Sequence, residues 1–257
     1  MLKRICLLLL CVFVERASFA ITETINWYVG DSVYDSTTCE SGDDVILPNN
    51  PTAPRGYYFA GWVRYTPIEY LESTGTQYID TNYGIRDLLT IRAVAELSFT
   101  NTAVYRVLLF GGKSYKFFFG INPQNKVEYQ AGGSVTNTNV LVSMNTKYLF
   151  DMNVPASTFI VQEVGGDTIV QLNSIVKQSY VINTSGTLFG YKETAEVKRV
   201  PMTIYSFKLY DNDTLVRDMI PVLDENGVAC MYDRITDAFF YNAGTGNFTA
   251  GPVISGQ

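Results

Sequence analysis

Short segments in which apolar and polar residues alternate recur along most of this chain, and none keeps the helical period of about 3.6 residues. Between residues 89 and 99, for example, Ile91, Ala93 and Ala95 fall on one face, and Arg92 and Glu96 fall on the other. Such segments follow one another about every 8–15 residues, with turn residues between them. We therefore predict an all-β fold in the form of an antiparallel jelly-roll β-sandwich.

Three hairpins are indicated by turn residues that separate two alternating segments. They cover residues 115–130, 159–172 and 201–222, with turns at Asn122–Asn125, Gly165-Gly166 and Asp211–Asp213.

The composition excludes several classes of function. The chain of 257 residues contains no histidine, so it cannot form a Ser-His-Asp triad, a Cys-His pair or an HExxH zinc site. Its net charge of −6 argues against a broad basic surface for nucleic acid. With 47% hydrophobic and 14% aromatic residues, it is expected to bury a substantial core.

Residues 1–20 have the three parts of a secretory signal peptide. Lys3 and Arg4 provide the positive start, an apolar run follows over residues 5–14, and Ser18 and Ala20 precede the expected cleavage point. The run is shorter than the about 20 residues that span a bilayer. We expect export to a secreted or cell-surface location, with no integral membrane span.

Residues 21–66 are predicted to form a small module that docks on the domain after it. A strand leads into a turn at Gly30-Asp31, a short strand is predicted at Val45–Leu47, and the module ends in Gly56–Trp62 (GYYFAGW). This order resembles the internalin-type B repeat of bacterial surface proteins, whose signature includes G-Y-x-F-x-G-W. The resemblance implies a β-grasp-like fold.

Residues 67–257 are predicted to form the jelly roll. Their first segment, 70–81 (YLESTGTQYIDT), and their last, 207–251, resemble the concanavalin A-like lectin/glucanase superfamily, and within it the laminin-G-like jelly rolls of secreted or phage-associated bacterial proteins. Where the family usually has Gly after Asn212, this chain has Asp213, a residue that still tolerates a left-handed turn. We expect the first and last strands of the domain to lie close together.

The resemblance raises the question of catalysis. Glycosidases of this superfamily carry their two catalytic carboxylates on one strand as Glu-x-Asp-x-x-Glu, and this motif is absent. The remaining close pairs, Glu69/Glu72 and Glu193/Glu196, are interpreted as surface charges. We therefore expect no enzymatic activity.

Two features leave alternatives open. Calcium often lies at the rim of such jelly rolls, and Asp211, Asp213, Asp224 and Asp233 flank turns there, but Asp is also an ordinary turn residue that needs no ion. No other cofactor is expected. The cysteines that remain after residue 20 are Cys39 and Cys230, which either form one disulfide or stay free, buried thiols.

The predicted function is noncatalytic recognition or adhesion at the cell surface. Tyrosine offers apolar area and a polar tip, and the chain contains 18 tyrosines, so a sheet face or a set of loops is expected to bind carbohydrate or a surface protein. The alternatives are a structural component of the surface or of an appendage, and a divergent glycoside hydrolase. The sequence alone does not identify the binding residues.

Overall fold

A computed structural model describes residues 3–9, 22–29, 32–40, 43, 45–52, 57–100, 116–181, 185–190 and 201–254. It confirms the all-β prediction, since the described residues form strands and one short 3₁₀ helix, Leu88–Thr90, and no α-helix. None of these residues belongs to a helix that is long and apolar enough to cross a membrane.

The strands are, in chain order, β1 Lys3–Leu9, β2 Thr22–Val29, β3 Ser32–Glu40, β4 Tyr57–Arg64, β5 Thr66–Pro67, β6 Leu71–Ser73, β7 Ile79–Gly84, β8 Ile91–Phe99, β9 Phe117–Ile121, β10 Lys126–Ala131, β11 Thr136–Leu141, β12 Tyr148–Asn153, β13 Thr158–Glu163, β14 Thr168–Leu172, β15 Ser185–Leu188, β16 Met202–Asp211, β17 Thr214–Leu223, β18 Ala229–Asp233, β19 Ala238–Phe240 and β20 Thr249–Ala250.

The N-terminal residues form a four-stranded sheet of order β3-β2-β1-β4. β1 pairs antiparallel with β2 and parallel with β4, so part of the predicted signal peptide occupies an interior position in this sheet. Cleavage after Ala20 would remove that strand. Residues 10–21 and the turn at Gly30-Asp31 lie outside the described residues, and export stays a prediction.

The strand predicted at Val45–Leu47 is wrong. Residues 45–50 are described without strand pairing, although Val45 packs beside Ile25 and Trp27. Pro48 explains the difference, because it lacks the N–H that a ladder needs and restricts the conformation of Leu47 before it.

The rest of the chain forms a β-sandwich. Its main sheet has the order β14-β13-β12-β8-β16-β17-β18-β19, to which β5, β6 and β20 add further pairings. The opposite layer contains a three-stranded sheet, β11-β10-β9, and a two-stranded sheet, β15-β7. All the strand pairings of these sheets are antiparallel, as predicted.

One large hydrophobic core lies between the two layers. Phe150 of the main sheet stacks on Phe119 of the small sheet, with ring centroids 5.4 Å apart and planes inclined by 14°. The face predicted for β8 is confirmed, since Ile91, Ala93 and Ala95 are all buried in this core. The burial of side chains from both layers holds the sandwich together.

The predicted hairpins are confirmed. β9 and β10 flank the turn at 122–125, β13 and β14 flank Gly165-Gly166, and β16 and β17 pair across Asn212-Asp213. Asn212 and Asp213 have φ of 48° and 58°, so Asp213 adopts the left-handed conformation expected of it.

The prediction that the two ends of the jelly roll meet is confirmed. β20 pairs with β6, with Thr249 opposite Glu72 and Ala250 opposite Leu71. The following residue must be glycine, because a Cβ on Gly251 would lie 2.8 Å from ring atoms of Tyr70.

Both remaining cysteines are free thiols. Cys230 is fully buried beside Tyr65, Val222 and Tyr232, whereas Cys39 is half-buried against the small core of the N-terminal sheet. Burial raises the pKa of Cys230 to about 12, which keeps that thiol protonated and unreactive.

Candidate functional site

The candidate site is the face of the β9–β11 sheet that turns away from the core, which we call the polar face. Along β10, Val127, Tyr129 and Ala131 belong to the core. The residues between them, Glu128 and Gln130, therefore point to the opposite side, because successive side chains of a strand alternate.

Register extends the polar face onto both neighbouring strands. Phe118 of β9 lies opposite Gln130, and Asn137 of β11 lies opposite Glu128. At one end, the Lys126 ammonium donates to Asn139 Oδ1 at 3.3 Å. The polar face thus combines a carboxylate, amides and an ammonium group, whereas the Phe118 ring opposite Gln130 is fully buried.

Gln130 is the residue of this face whose hydrogen bonding is incomplete. Its side chain is only 6% exposed, and its Nε2 donates to the carbonyl of Gly133. Its Oε1 is buried and accepts no hydrogen bond. A buried acceptor without a donor costs about 1–3 kcal/mol, so Gln130 is poised to accept a hydrogen bond from a ligand.

Glu128 is 4% exposed, while its cross-strand neighbour Asn137 is exposed. The polar face therefore has a buried carboxylate and amide beside accessible amides. Carboxylate and amide groups can accept hydrogen bonds from hydroxyl groups, and amides can also donate them.

The outward face of the main sheet differs because its charges pair with one another. Arg92 binds Asp151 through two hydrogen bonds of 2.9 and 2.7 Å, and its guanidinium lies 5.2 Å from the Tyr210 ring centroid. Lys147 contacts Glu96 at 2.7 Å. These groups are already partnered within the chain, which makes this face a poorer candidate.

Of the sequence-selected glutamates, neither of the two that the structure describes lies on the polar face. Glu69 is exposed before β6, Glu72 is half-buried within β6, and Glu193 and Glu196 lie outside the described residues. Within the described strands of the polar face, Glu128 is the single carboxylate. The usual retaining and inverting glycosidase mechanisms use two.

The four aspartates considered for calcium serve mainly as turn and hydrogen-bond residues. Tyr83 Oη donates to Asp211 at 2.7 Å, and burial followed by this bond raises the pKa of Tyr83 to about 12. Asp213 lies in the β16–β17 turn, Asp224 caps the β17–β18 turn, and Asp233 is fully buried. Among the described residues, no group of three or more His, Cys, Asp or Glu side chains is arranged to hold a metal ion.

The tyrosines divide into core and surface residues. Tyr65, Tyr129, Tyr148 and Tyr232 are buried, so much of the tyrosine content serves packing. Exposed rings include Tyr241, which is 46% exposed.

Sequence reasoning did not single out the polar face. The alternation of Lys126, Glu128 and Gln130 with Val127 and Tyr129 would have identified an outward polar row on β10. Sequence alone could not indicate that this row is buried, since that depends on tertiary contacts.

One of the comparisons with known proteins, a solved structure with a TM-score above 0.5, is similar to this chain in fold. No protein-family model matches the chain, and no curated protein matches its sequence. Among solved structures, a candidate carbohydrate-binding protein from Bacteroides ovatus is similar over 94% of this chain and 71% of its own, with a TM-score of 0.51 and 9% identity. A Trypanosoma rangeli sialidase matches 66% of this chain and 34% of its own, with a TM-score of 0.39 and 11% identity.

Proposed function

We propose that this protein is a noncatalytic carbohydrate-recognition protein that binds glycan through the polar face. The observation that carries the proposal is the buried, unpartnered Oε1 of Gln130 on a strand face directed away from the core. A sugar hydroxyl would supply the missing donor. The fold neighbour described as carbohydrate-binding supports the same class of ligand.

The remaining elements of the proposal come from the sequence. Export through residues 1–20 would present the protein outside the cell, and the B-repeat-like and concanavalin A-like resemblances are typical of surface recognition proteins. The single described carboxylate of the polar face favours binding over hydrolysis.

The test is a glycan array probed with the full chain and with two variants of residue 130. Gln130→Met keeps the length of the side chain but removes its polar groups, and Gln130→Glu keeps an acceptor at the same position. We expect the wild-type chain to bind, Gln130→Met to lose binding, and Gln130→Glu to retain part of it.

The other outcomes separate the alternatives. Sugar release that disappears in Glu128→Gln would establish a hydrolase instead. If the chain binds no glycan on the array and specifically captures a surface protein, a structural role would be established. If glycan binding is lost when calcium is chelated, the site would require a bound calcium ion.

A further inference from the structure

A separate aromatic surface lies on the main sheet, after its last strand β19. Tyr241 follows this strand and is 46% exposed, whereas Tyr65 and Tyr232, in the aromatic group beside it, are each 1% exposed. Tyr241 is therefore the accessible ring at the end of a packed aromatic group.

Two contacts fix the orientation of the Tyr241 side chain, one at its hydroxyl and one at its ring. Its Oη donates to Asp224 Oδ2 at 3.0 Å. Its ring lies 6.2 Å from that of Phe239, at an inclination of 32°. Phe239 in turn lies 5.1 Å from Tyr232. The exposed ring is therefore supported from inside the protein and is not a freely rotating side chain.

Asp224 is itself fixed by the turn between β17 and β18. It is 8% exposed, and its Oδ1 accepts the N–H groups of Asn226 at 2.9 Å and Val228 at 2.8 Å. Burial opposes ionisation, but the bonds from Val228, Tyr241 and Asn226 lower the pKa of Asp224 overall. Partial desolvation and the bond to Asp224 raise the pKa of Tyr241 to about 12, so the phenol stays a neutral donor.

We propose that Tyr241 is a stacking platform for a neutral pyranose ring, at a second carbohydrate site separate from the polar face. An orientationally fixed aromatic ring offers apolar area to the C–H face of a sugar at little entropic cost. The exposed side chain of Val228, which is 47% exposed, follows the same turn and adds apolar surface. This inference rests on the proposed carbohydrate-binding function.

Charge selects the class of sugar. Asp224 and Glu225 lie in the turn that holds Tyr241, and both contribute negative potential at its hydroxyl. The whole chain also carries a net charge of −6. A sugar that carries a carboxylate would meet like charge, so the site favours neutral hexopyranoses over sialic acids and uronic acids.

The experiment uses the full chain on an array of neutral cello-, malto- and manno-oligosaccharides together with sialyllactose and polygalacturonate. Tyr241→Ala should weaken binding to a neutral oligosaccharide by about tenfold. Tyr241→Phe, which keeps the ring but loses the bond to Asp224, should have a smaller effect. Tyr34→Ala is the matched control, because Tyr34 is similarly exposed (42%) but lies on β3 of the N-terminal sheet.

The outcomes distinguish this inference from the proposed function. If Gln130→Met abolishes neutral binding and Tyr241→Ala leaves it unchanged, the second site is refuted and the polar face stands. If Tyr241→Ala weakens binding no more than Tyr34→Ala, or if the chain prefers the acidic glycans, the inference is also overturned. If the wild-type chain binds none of the glycans, the proposed function fails, and the second site fails with it.

Discussion

The residues that close the jelly roll and the residues of the polar face satisfy their hydrogen bonds in different ways. In the closure region, which we define as residues 73–77, 233–236 and 242–247, buried polar groups are bonded within the chain. Gln77 Oε1 accepts from Ser73 Oγ and Thr74 N at 3.0 Å each, and its Nε2 donates to the Asn247 carbonyl at 2.9 Å. Gln130, equally an amide in a buried position, leaves its Oε1 without a donor.

Asn242 completes the closure from the other end of the domain. Its Oδ1 accepts the N–H groups of Tyr78 at 3.2 Å and Gly244 at 2.7 Å, and its Nδ2 donates to the Gly246 carbonyl at 2.7 Å. The two segments that resemble the lectin-like superfamily are therefore joined to each other. Their motifs specify the fold, which explains why they did not indicate the ligand.

This comparison predicts that substitutions in the closure region reduce stability and that substitutions on the polar face reduce binding. The largest effect is expected at Asp233, which is 0% exposed. Its Oδ1 accepts from Asp218 N and its Oδ2 from Thr236 Oγ1, both at 2.7 Å, and Arg217 Nε lies 3.6 Å away. Asp233→Ala should lower the free energy of unfolding by about 3–5 kcal/mol in urea denaturation, because it removes the carboxylate beside the buried Arg217 cation and leaves the Asp218 N–H without its acceptor.

Asp233→Asn provides the control, since it retains an acceptor for the Asp218 N–H but loses the charge and the second acceptor, which receives Thr236 Oγ1. It should fall between the wild type and Asp233→Ala. Equal stability of all three proteins would contradict the view that the closure region holds the fold together.

Gln77→Ala should have the next largest effect. The side chain is 2% exposed and connects residues 73–76 to Asn247. Its removal leaves the Ser73 hydroxyl, the Thr74 N–H and the Asn247 carbonyl without these hydrogen bonds. We expect a loss of about 2 kcal/mol in the same assay. In Gln77→Glu the acceptor bonds remain and the donor to the Asn247 carbonyl is lost, and a milder destabilisation is expected.

On the polar face, Gln130→Met should change stability by less than about 1 kcal/mol in either direction. The substitution removes one satisfied donor, but it also removes a buried acceptor that has no partner. Thermal unfolding measures this effect, and the glycan array measures binding on the same sample. A loss of stability as large as that of Gln77→Ala would place Gln130 among the structural residues.

The sequence predicted most of the fold because the relevant signals are local. Gly165-Gly166 and Asn212-Asp213 specify hairpin turns through backbone conformations that few residues adopt, and alternation then assigns the face of each strand. The predicted strand at Val45–Leu47 failed because apolar composition does not provide a pairing partner. The burial of Gln130 depends on packing between segments that are distant in the sequence, so it cannot be predicted from the residues around position 130.

The smallest expected effect concerns the β16–β17 turn. Here the chain has Asp213 at the position where the concanavalin A-like superfamily, which it resembles, usually has glycine. Asp213 has φ of 58°, a conformation that costs a residue with a side chain more than it costs glycine. Asp213→Gly should therefore raise the free energy of unfolding by about 0.5 kcal/mol, and Asp213→Ala should lower it, because Ala tolerates this conformation less well than Asp. Parallel urea denaturation of the three proteins measures the order Gly, Asp, Ala. Neither substitution should change glycan binding, since this turn belongs to neither proposed site. A loss of binding in Asp213→Gly would mean that the β16–β17 turn contributes to recognition.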